Sequence, residues 1–228
     1  MRSILATFSF TLVLISTSSL GAGEDEAGPD DNKPPEGFKL LFNGKDLTGW
    51  QGLVELPERS KLSAEQLAEK QKEANEKYLP HWTVKDGVLH YDGKGQSLQT
   101  AKDYGNFELW VDWKIGPKGD SGIYLRGNPQ VQIWDNPIGS GGLYNNKKNA
   151  HDPIAVADRP VGKWNRFHIF MKDDIVTVYL NGTLVVDQTP LENYWEPGKP
   201  LPAKGPIELQ HHGDRLWFKN IYIKELPD

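Results

Sequence analysis

The chain of 228 residues contains no cysteine, so neither a disulfide framework nor a lipid anchor through a lipobox cysteine is available to it. Stability must come from a packed core. Basic residues number 26 against 31 acidic, for a net charge of −5, and they are scattered singly. That distribution lacks the footprint expected for nucleic acid or for an anionic membrane surface. No apolar run approaches the roughly 20 residues that span a bilayer. The longest, Ile4 to Ile15, follows the basic start Met1-Arg2-Ser3 and precedes the small-residue steps Ser19-Leu20-Gly21 and Gly21-Ala22-Gly23. This pattern predicts a signal peptide over residues 1–22, cleaved near Ala22 to Glu24. The mature protein is expected to be exported, periplasmic or extracellular, with no stable membrane anchor. Several chemical signatures are also missing: Gly-Lys-Ser/Thr, Gly-x-Ser-x-Gly, His-Glu-x-x-His and the EF-hand loop. A phosphate loop and a nucleophile elbow are thereby excluded, while a divalent metal is left open as a cofactor.

Aromatic and turn-forming residues are abundant instead. Eight Trp, eight Tyr and eight Phe accompany 23 Gly and 16 Pro, a composition suited to many short strands joined by tight turns. Residues 23–36, rich in Asp and Glu and containing Pro34-Pro35, read as a disordered acidic tether. A single domain follows over 37–228. Strands are expected at Phe38 to Phe42, Trp82 to Val84, Val88 to Tyr91, Phe107 to Trp113, Gly122 to Arg126 and Val131 to Trp134. Others are expected at Asn165 to Met171, Ile175 to Leu180, Thr183 to Asp187, Ile207 to Gln210 and Trp217 to Ile223. Asn181-Gly182 between two runs is a two-residue hairpin turn. A helical insert occupies about 54–80, and its capping box Ser63-x-x-Gln66 starts a helix that reaches Tyr78. The fold class expected is all-β, a two-sheet antiparallel jelly-roll sandwich with this short helical insert.

Alternation then separates two faces. Phe107, Leu109, Val111 and Trp113 point one way, and Glu108, Trp110 and Asp112 the other. Ile123 and Leu125 oppose Tyr124 and Arg126, and Val131 and Ile133 oppose Gln132 and Trp134. Three neighbouring strands are then expected to present Glu108, Trp110, Asp112, Tyr124, Arg126, Gln132 and Trp134 on one surface, with Asp135 at its end. Flat rings beside bidentate hydrogen-bonding groups suit a sugar. Each polar residue also has a plain reading as a solvent-facing strand position, and Arg126 as the cross-strand partner of Glu108 or Asp112. Glu108 and Asp112 lie about 13 Å apart at ~3.3 Å per residue. Retaining and inverting glycosidases need about 5 Å and 6.5 to 9.5 Å, so ordinary hydrolysis by this pair is disfavoured. The glycine-rich stretch Gly139 to Asn146, which includes Tyr144, reads as a binding loop. His211-His212 leaves a strand, where adjacent side chains point to opposite faces, so only one of the two could serve a given site.

Four blocks in fixed order carry a resemblance. These are Leu41-Phe42-Asn43-Gly44-Lys45-Asp46-Leu47-Thr48-Gly49-Trp50, Asp120-Ser121-Gly122-Ile123-Tyr124-Leu125-Arg126, Val131-Gln132-Ile133-Trp134-Asp135 and Leu209-Gln210-His211-His212-Gly213. With Gly162-Lys163-Trp164-Asn165 and Phe218-Lys219-Asn220-Ile221 filling the gaps, the chain from about Gly37 to Leu226 resembles the 3-keto-disaccharide hydrolase domain family. The resemblance implies a concanavalin A-like lectin and glucanase fold, and cleavage of glycosides oxidised at C3. A ketone at C3 acidifies the C2 hydrogen; a base removes it, the C1 substituent leaves by elimination, and water adds back. This route needs a base, a donor to the leaving oxygen and a donor to the enolate rather than two carboxylates at glycosidase spacing. The expected roles are His212 or Asp112 as base, Arg126 on the enolate oxygen, and Asp135 and Gln132 on hydroxyls. Trp134 or Trp110 would stack on the ring, Tyr124 and Tyr144 would join the binding set, and Glu108 would be a second base or a metal ligand. The partner is a carbohydrate or glycoside substrate. The alternative is a non-catalytic, lectin-like carbohydrate-binding module, and a third reading uses the tether and insert to bind a protein partner.

Overall fold

The computed structural model describes residues 28 and 30–227, so the expected signal peptide lies outside the described residues. In chain order the strands are β1 (Lys39–Leu40), β2 (Trp50–Gly52), β3 (Trp82–Lys85), β4 (Val88–Tyr91), β5 (Leu98–Thr100), β6 (Phe107–Ile115) and β7 (Asp120–Leu125). They continue as β8 (Asn128–Trp134), β9 (Asn165–Lys172), β10 (Ile175–Leu180), β11 (Thr183–Pro190), β12 (Glu208–Leu209) and β13 (Leu216–Glu225). Helices α1 (Leu56–Arg59) and α2 (Ala64–Tyr78) lie between β2 and β3. Two antiparallel sheets result. One runs β11-β10-β9-β6-β13-β4-β3 with β1 also paired to β13, and the other runs β2-β5-β12-β7-β8.

The inter-sheet core follows from the alternation. Phe107, Leu109, Val111, Phe167, Ile169, Met171, Val176 and Val178 come from the larger sheet, and Ile123, Leu125, Val131, Ile133, Leu98 and Leu209 from the smaller. Removing side chains of this size from water is worth about 1.5 to 3 kcal/mol each, which supports a fold of this size without disulfides. At the hairpin between β10 and β11, Asn181 and Gly182 have φ of 53° and 84°, as a type I′ turn requires. Helix α2 begins at the expected capping box, with Ser63 and Gln66 each bonding the other's backbone N–H. Among its residues only Ala74 is buried.

Two expectations are corrected. First, β6 belongs to the larger sheet whereas β7 and β8 belong to the smaller. The five residues Ile115 to Gly119, with a backbone bond from Gly119 N–H to the Gly116 carbonyl, form a corner that changes sheets rather than a hairpin within one. The coreward sides of the two sheets face each other, so their outward sides point in opposite directions. The polar residues of β6 therefore do not share a surface with those of β7 and β8. Second, the tether is tied down at its end. Asp31 accepts from Lys219 Nζ (2.5 Å) and Asn220 Nδ2 (2.6 Å), and Asn32 N–H donates to Asn220 Oδ1 at 2.6 Å.

Candidate functional site

On the outward face of the larger sheet the charged residues pair with one another. Arg166 on β9 reaches both oxygens of Asp112, Nε at 2.5 Å and a terminal nitrogen at 2.7 Å, and Asn220 Nδ2 adds a third bond at 2.7 Å. The plain cross-strand reading of Asp112 was right in kind, with Arg166 rather than Arg126 as partner. Glu108 is 2.7 Å from His168 Nε2 and 3.9 Å from Lys224 Nζ. Trp110 lies between them, with its ring centroid 4.7 Å from that of His168 and 5.2 Å from the Arg166 guanidinium carbon. With both oxygens of Asp112 engaged by charge-assisted donors, its expected role as base is overturned. Glu108 and Trp110 are likewise placed in a packed ionic and aromatic network away from His212.

Arg126 is corrected too. It sits in the β7–β8 turn with φ of 56°, before Gly127 at 69°, and its guanidinium turns inward. Nε donates to the Gly105 carbonyl at 2.9 Å, and its terminal nitrogens donate to the Pro202 carbonyl and, at 2.8 Å, to Asn106 Oδ1. Only 4% of it is exposed. It ties loops together and is not available to an enolate oxygen.

The outward face of the smaller sheet gathers the other residues. Register places Glu208 of β12 between Gln99 of β5 and Tyr124 of β7, and Gln51 of β2 beyond Gln99. One step along the strands are Ser97, Gln210, Gly122 and Gln132. One step further are His212, Asp120 and Trp134, with His212 Nδ1 3.9 Å from Asp120 Oδ2. Gln132 Nε2 donates to Asp120 Oδ1 at 2.8 Å, and Gln130 Nε2 donates to Gln132 Oε1. Gly122 leaves room for the Gln130 side chain, whose oxygen would lie 2.6 Å from a Cβ placed there. Thus His212, Gln132, Tyr124 and Trp134 are brought together. At the rim the rings of Trp134 and Tyr144 meet edge to face with centroids 5.3 Å apart. Asp135 is displaced from the face: its carboxylate accepts the Lys118 N–H at 2.8 Å and pins the sheet-switching corner.

The glycine-rich stretch is not a free loop. It runs along the edge of β8, where Gly141 N–H donates to the Gln132 carbonyl and Gln132 N–H to the Gly142 carbonyl. Its glycines reflect crowding, since a Cβ on Gly142 would lie 2.4 Å from the His151 carbonyl oxygen.

The sequence reading passed over Glu208, Gln99 and Ser97. Glu208 is 4% exposed, and burial pushes its carboxyl up to about 8 against a hydrogen bond from Ser97 that pulls the other way. Both side-chain polar atoms of Gln99, and the Oε1 atoms of Gln130 and Gln210, are buried with no hydrogen-bond partner. Such groups cost about 1 to 3 kcal/mol each; Trp110 Nε1 on the larger sheet is in the same position. One signal was available: Ile207-Glu208-Leu209-Gln210 alternates as cleanly as β6 does. Beta2 and β5, at three residues each, gave no periodicity to read.

Both histidines serve this side. Strand β12 ends at Leu209, so strand alternation does not govern His211 and His212. His211 Nδ1 is 3.1 Å from Ser97 Oγ, while its backbone N–H donates to the same oxygen at 3.1 Å. Burial, and to a lesser degree His212, lower the His211 pKa, which favours the neutral ring. The expectation that only one of the pair could serve a given site is therefore set aside.

A strap covers half of the face. Leu53 N–H bonds the Ser97 carbonyl, Leu56 Cβ comes within 3.3 Å of where a Cβ on Gly127 would stand, and Arg59 forms two 3.0 Å bonds to Asp103. The chain from Leu53 to Arg59 thus crosses from β2 to the β7–β8 turn above Glu208. Glu55 on this strap adds negative charge near Glu208 and Tyr124. The His212, Asp120 and Trp134 end lies beyond the strap. Among the described residues no group of three or more His, Asp or Glu is gathered to hold a metal ion.

Comparison with known proteins bears on the family and the fold. A curated "3-keto-disaccharide hydrolase" from Bacteroides thetaiotaomicron is 25% identical over 249 residues, covering 84% of this chain and 79% of that protein. Two crystal structures from Parabacteroides distasonis, each provisionally described as a glycosyl hydrolase, have the same fold. One aligns at 26% identity with a TM-score of 0.64 over 86% of this chain and 100% of its own. The other aligns at 29% identity with 0.63 over 84% and 85%. The 3-keto-alpha-glucoside-1,2-lyase-like domain matches residues 37–224. The chain is a carbohydrate-active, hydrolase-like protein and belongs to the family of 3-keto-alpha-glucoside-1,2-lyase-like domains.

Proposed function

We propose that this protein cleaves glycosides already oxidised at C3, by proton abstraction at C2, elimination of the C1 substituent and hydration of the resulting enone. The observation that carries this reading is the end of the smaller sheet's outward face, where His212 beside Asp120 meets the aromatic pair Trp134 and Tyr144. His212 is the base. The Asp120 carboxylate lies 3.9 Å from its Nδ1. Gln130 and Gln132 hold Asp120 in place, the half-buried Gln210 offers its amide to sugar hydroxyls, and Trp134 with Tyr144 provides the flat apolar edge for the ring. No carboxylate pair at glycosidase spacing is needed, because the ketone supplies the acidity. The apolar run at Ile4 to Ile15 supports export of the mature domain to the periplasm or beyond.

The test compares a 3-keto-glucoside with its unoxidised parent, following release of the aglycone. Release from the keto sugar alone is expected. Release from the parent at a similar rate, or binding of both without release from either, would contradict the proposal, the second outcome indicating a carbohydrate-binding module.

A further inference from the structure

The site at the end of the smaller sheet continues beyond Trp134. Across the sheet the order is His212 just past β12, then Asp120 on β7 and Trp134 on β8. Residues 139–142 extend the line outside β8, where Trp134 Nε1 donates to the Gly139 carbonyl at 2.6 Å and Gly141 and Gly142 bond the Gln132 backbone. Past that edge comes the segment from Val156 to Val161. The Ser140 N–H donates to Asp158 Oδ2 at 2.9 Å, and a Cβ on Gly139 would stand 3.3 Å from Val156 Cα. A cleft of about 320 Å³ opens here, lined on its apolar part by Ile115, Trp134, Val156, Pro160 and Val161.

The accessible surface of this cleft is largely apolar. Val156 is 64% exposed and Val161 41%. Ile138, next to the Gly139 that Trp134 bonds, and Tyr144, against the Trp134 ring, are exposed as well. Such residues are unremarkable singly, but gathered about a concavity they mark a binding surface. Polar groups that share the cleft are already engaged. Asp158 accepts from Ser140, Asp135 from Lys118, and Asn165 Oδ1 from the Arg159 N–H and Asn181 Nδ2, each at 2.8 Å. Trp134 belongs to both the cleft and the proposed sugar site. Toward Glu208 the strap stands over the face, whereas across the strands the way leads past Trp134 into the cleft.

We infer that this cleft is the subsite for the C1 substituent, and that the substrates are 3-keto-glycosides of flat, apolar, phenolic aglycones rather than disaccharides. A second sugar would bring hydroxyls that need partners, and the cleft offers rings and methyl groups instead.

A phenolic leaving group also suits the elimination. His212 takes the C2 hydrogen as a proton, and the C2–H electron pair forms the enolate. As the enolate collapses, C1=C2 forms, the C1–O bond breaks, and its electron pair leaves on the aglycone oxygen. A phenol carries that pair as a phenolate, with an acidity near that of tyrosine at about 10, and then takes a proton from water. The hydroxide so formed adds to C1 while the proton on His212 returns to C2. The sum is glycoside and water giving keto sugar and phenol.

The subsite rests on the elimination reading above, and the experiment separates the two. Wild type, Val156→Asp and Val161→Asp are assayed on the 4-ethylphenyl and 4-(hydroxymethyl)phenyl 3-keto-glucosides, whose phenols match in size and nearly in acidity. Wild type is expected to favour the ethyl compound about tenfold in kcat/KM, as an apolar pocket favours a methyl over a hydroxyl. Each variant is expected to bring that ratio within about threefold of unity. The ratio does not depend on how much of a variant is folded, since both substrates meet the same enzyme. No preference in wild type, or a preference unchanged in both variants, overturns the subsite and leaves the elimination standing. A KM for a 3-keto-disaccharide below those of both aryl glycosides does the same. Failure of wild type to release an aglycone from any of the three overturns both.

Discussion

Glu208 and Gln99 stand directly opposite one another across the β12–β5 pairing, both buried, and the Gln99 amide holds no hydrogen bond. A folded protein keeps an unpaired buried amide at a cost of about 1 to 3 kcal/mol. Replacing Gln99 by Leu removes both unpaired atoms at similar volume. Its melting temperature is expected to equal or exceed that of wild type, while KM for a 3-keto-glycoside rises several-fold, a trade of function for stability. Differential scanning calorimetry and steady-state kinetics check the pair of outcomes; a lower melting temperature with unchanged KM would show that Gln99 is a structural residue.

The raised carboxyl of Glu208 predicts a pH dependence of stability. Its folded value of about 8 lies above the ordinary glutamate value of 4.5, so the unfolded chain releases its proton first as pH rises. The stabilisation is full below the ordinary value and is lost as pH climbs through the folded one, at up to about 1.4 kcal/mol per pH unit. Glu55 nearby adds to the effect, since its charge opposes that of an ionised Glu208. Glu208→Gln mimics the protonated form and should remove this dependence. The stability difference between variant and wild type, measured by urea unfolding, is expected to grow in favour of the variant from about pH 5 to pH 8; a constant difference would count against a protonated Glu208.

The sandwich, the Asn181-Gly182 hairpin and the capping box at Ser63 were legible because each is written in local chemistry: alternation, a positive-φ pair, a reciprocal side-chain cap. The site was half legible. Alternation assigned Glu108, Trp110 and Asp112, and likewise Tyr124, Gln132 and Trp134, to outward faces correctly. It could not say that Ile115 to Gly119 changes sheets, because a corner and a hairpin share the same glycines and proline. Glu208 was hidden for a different reason. It owes its environment to the strap from Leu53 to Arg59, which is over a hundred residues away in sequence.

Asp112 and Arg166 bear on the discarded part of that reading. Asp112 is buried while Arg166 is nearly half exposed, so breaking the pair by Asp112→Ala is expected to cost less than a fully buried pair would, about 1 to 3 kcal/mol. Turnover per folded molecule should not change. A hundredfold loss of kcat with intact stability would restore Asp112 as the base.

Arg126→Lys should likewise act on stability. Lysine cannot reproduce a planar fork that serves Gly105, Pro202 and Asn106 at once. A loss of about 1 to 3 kcal/mol is expected from unmet carbonyl acceptors, with KM unaltered. If KM rises while the melting temperature holds, Arg126 contacts substrate.

The central claim is that His212 removes the C2 hydrogen of a 3-keto sugar. Turnover of a 3-keto-glycoside in deuterium oxide, followed by proton NMR, tests it most directly. Wild type is expected to place deuterium at C2 of the released 3-keto sugar, and His212→Ala to lower both this incorporation and aglycone release at least a hundredfold. Aglycone release by wild type with the C2 hydrogen fully retained would contradict the account.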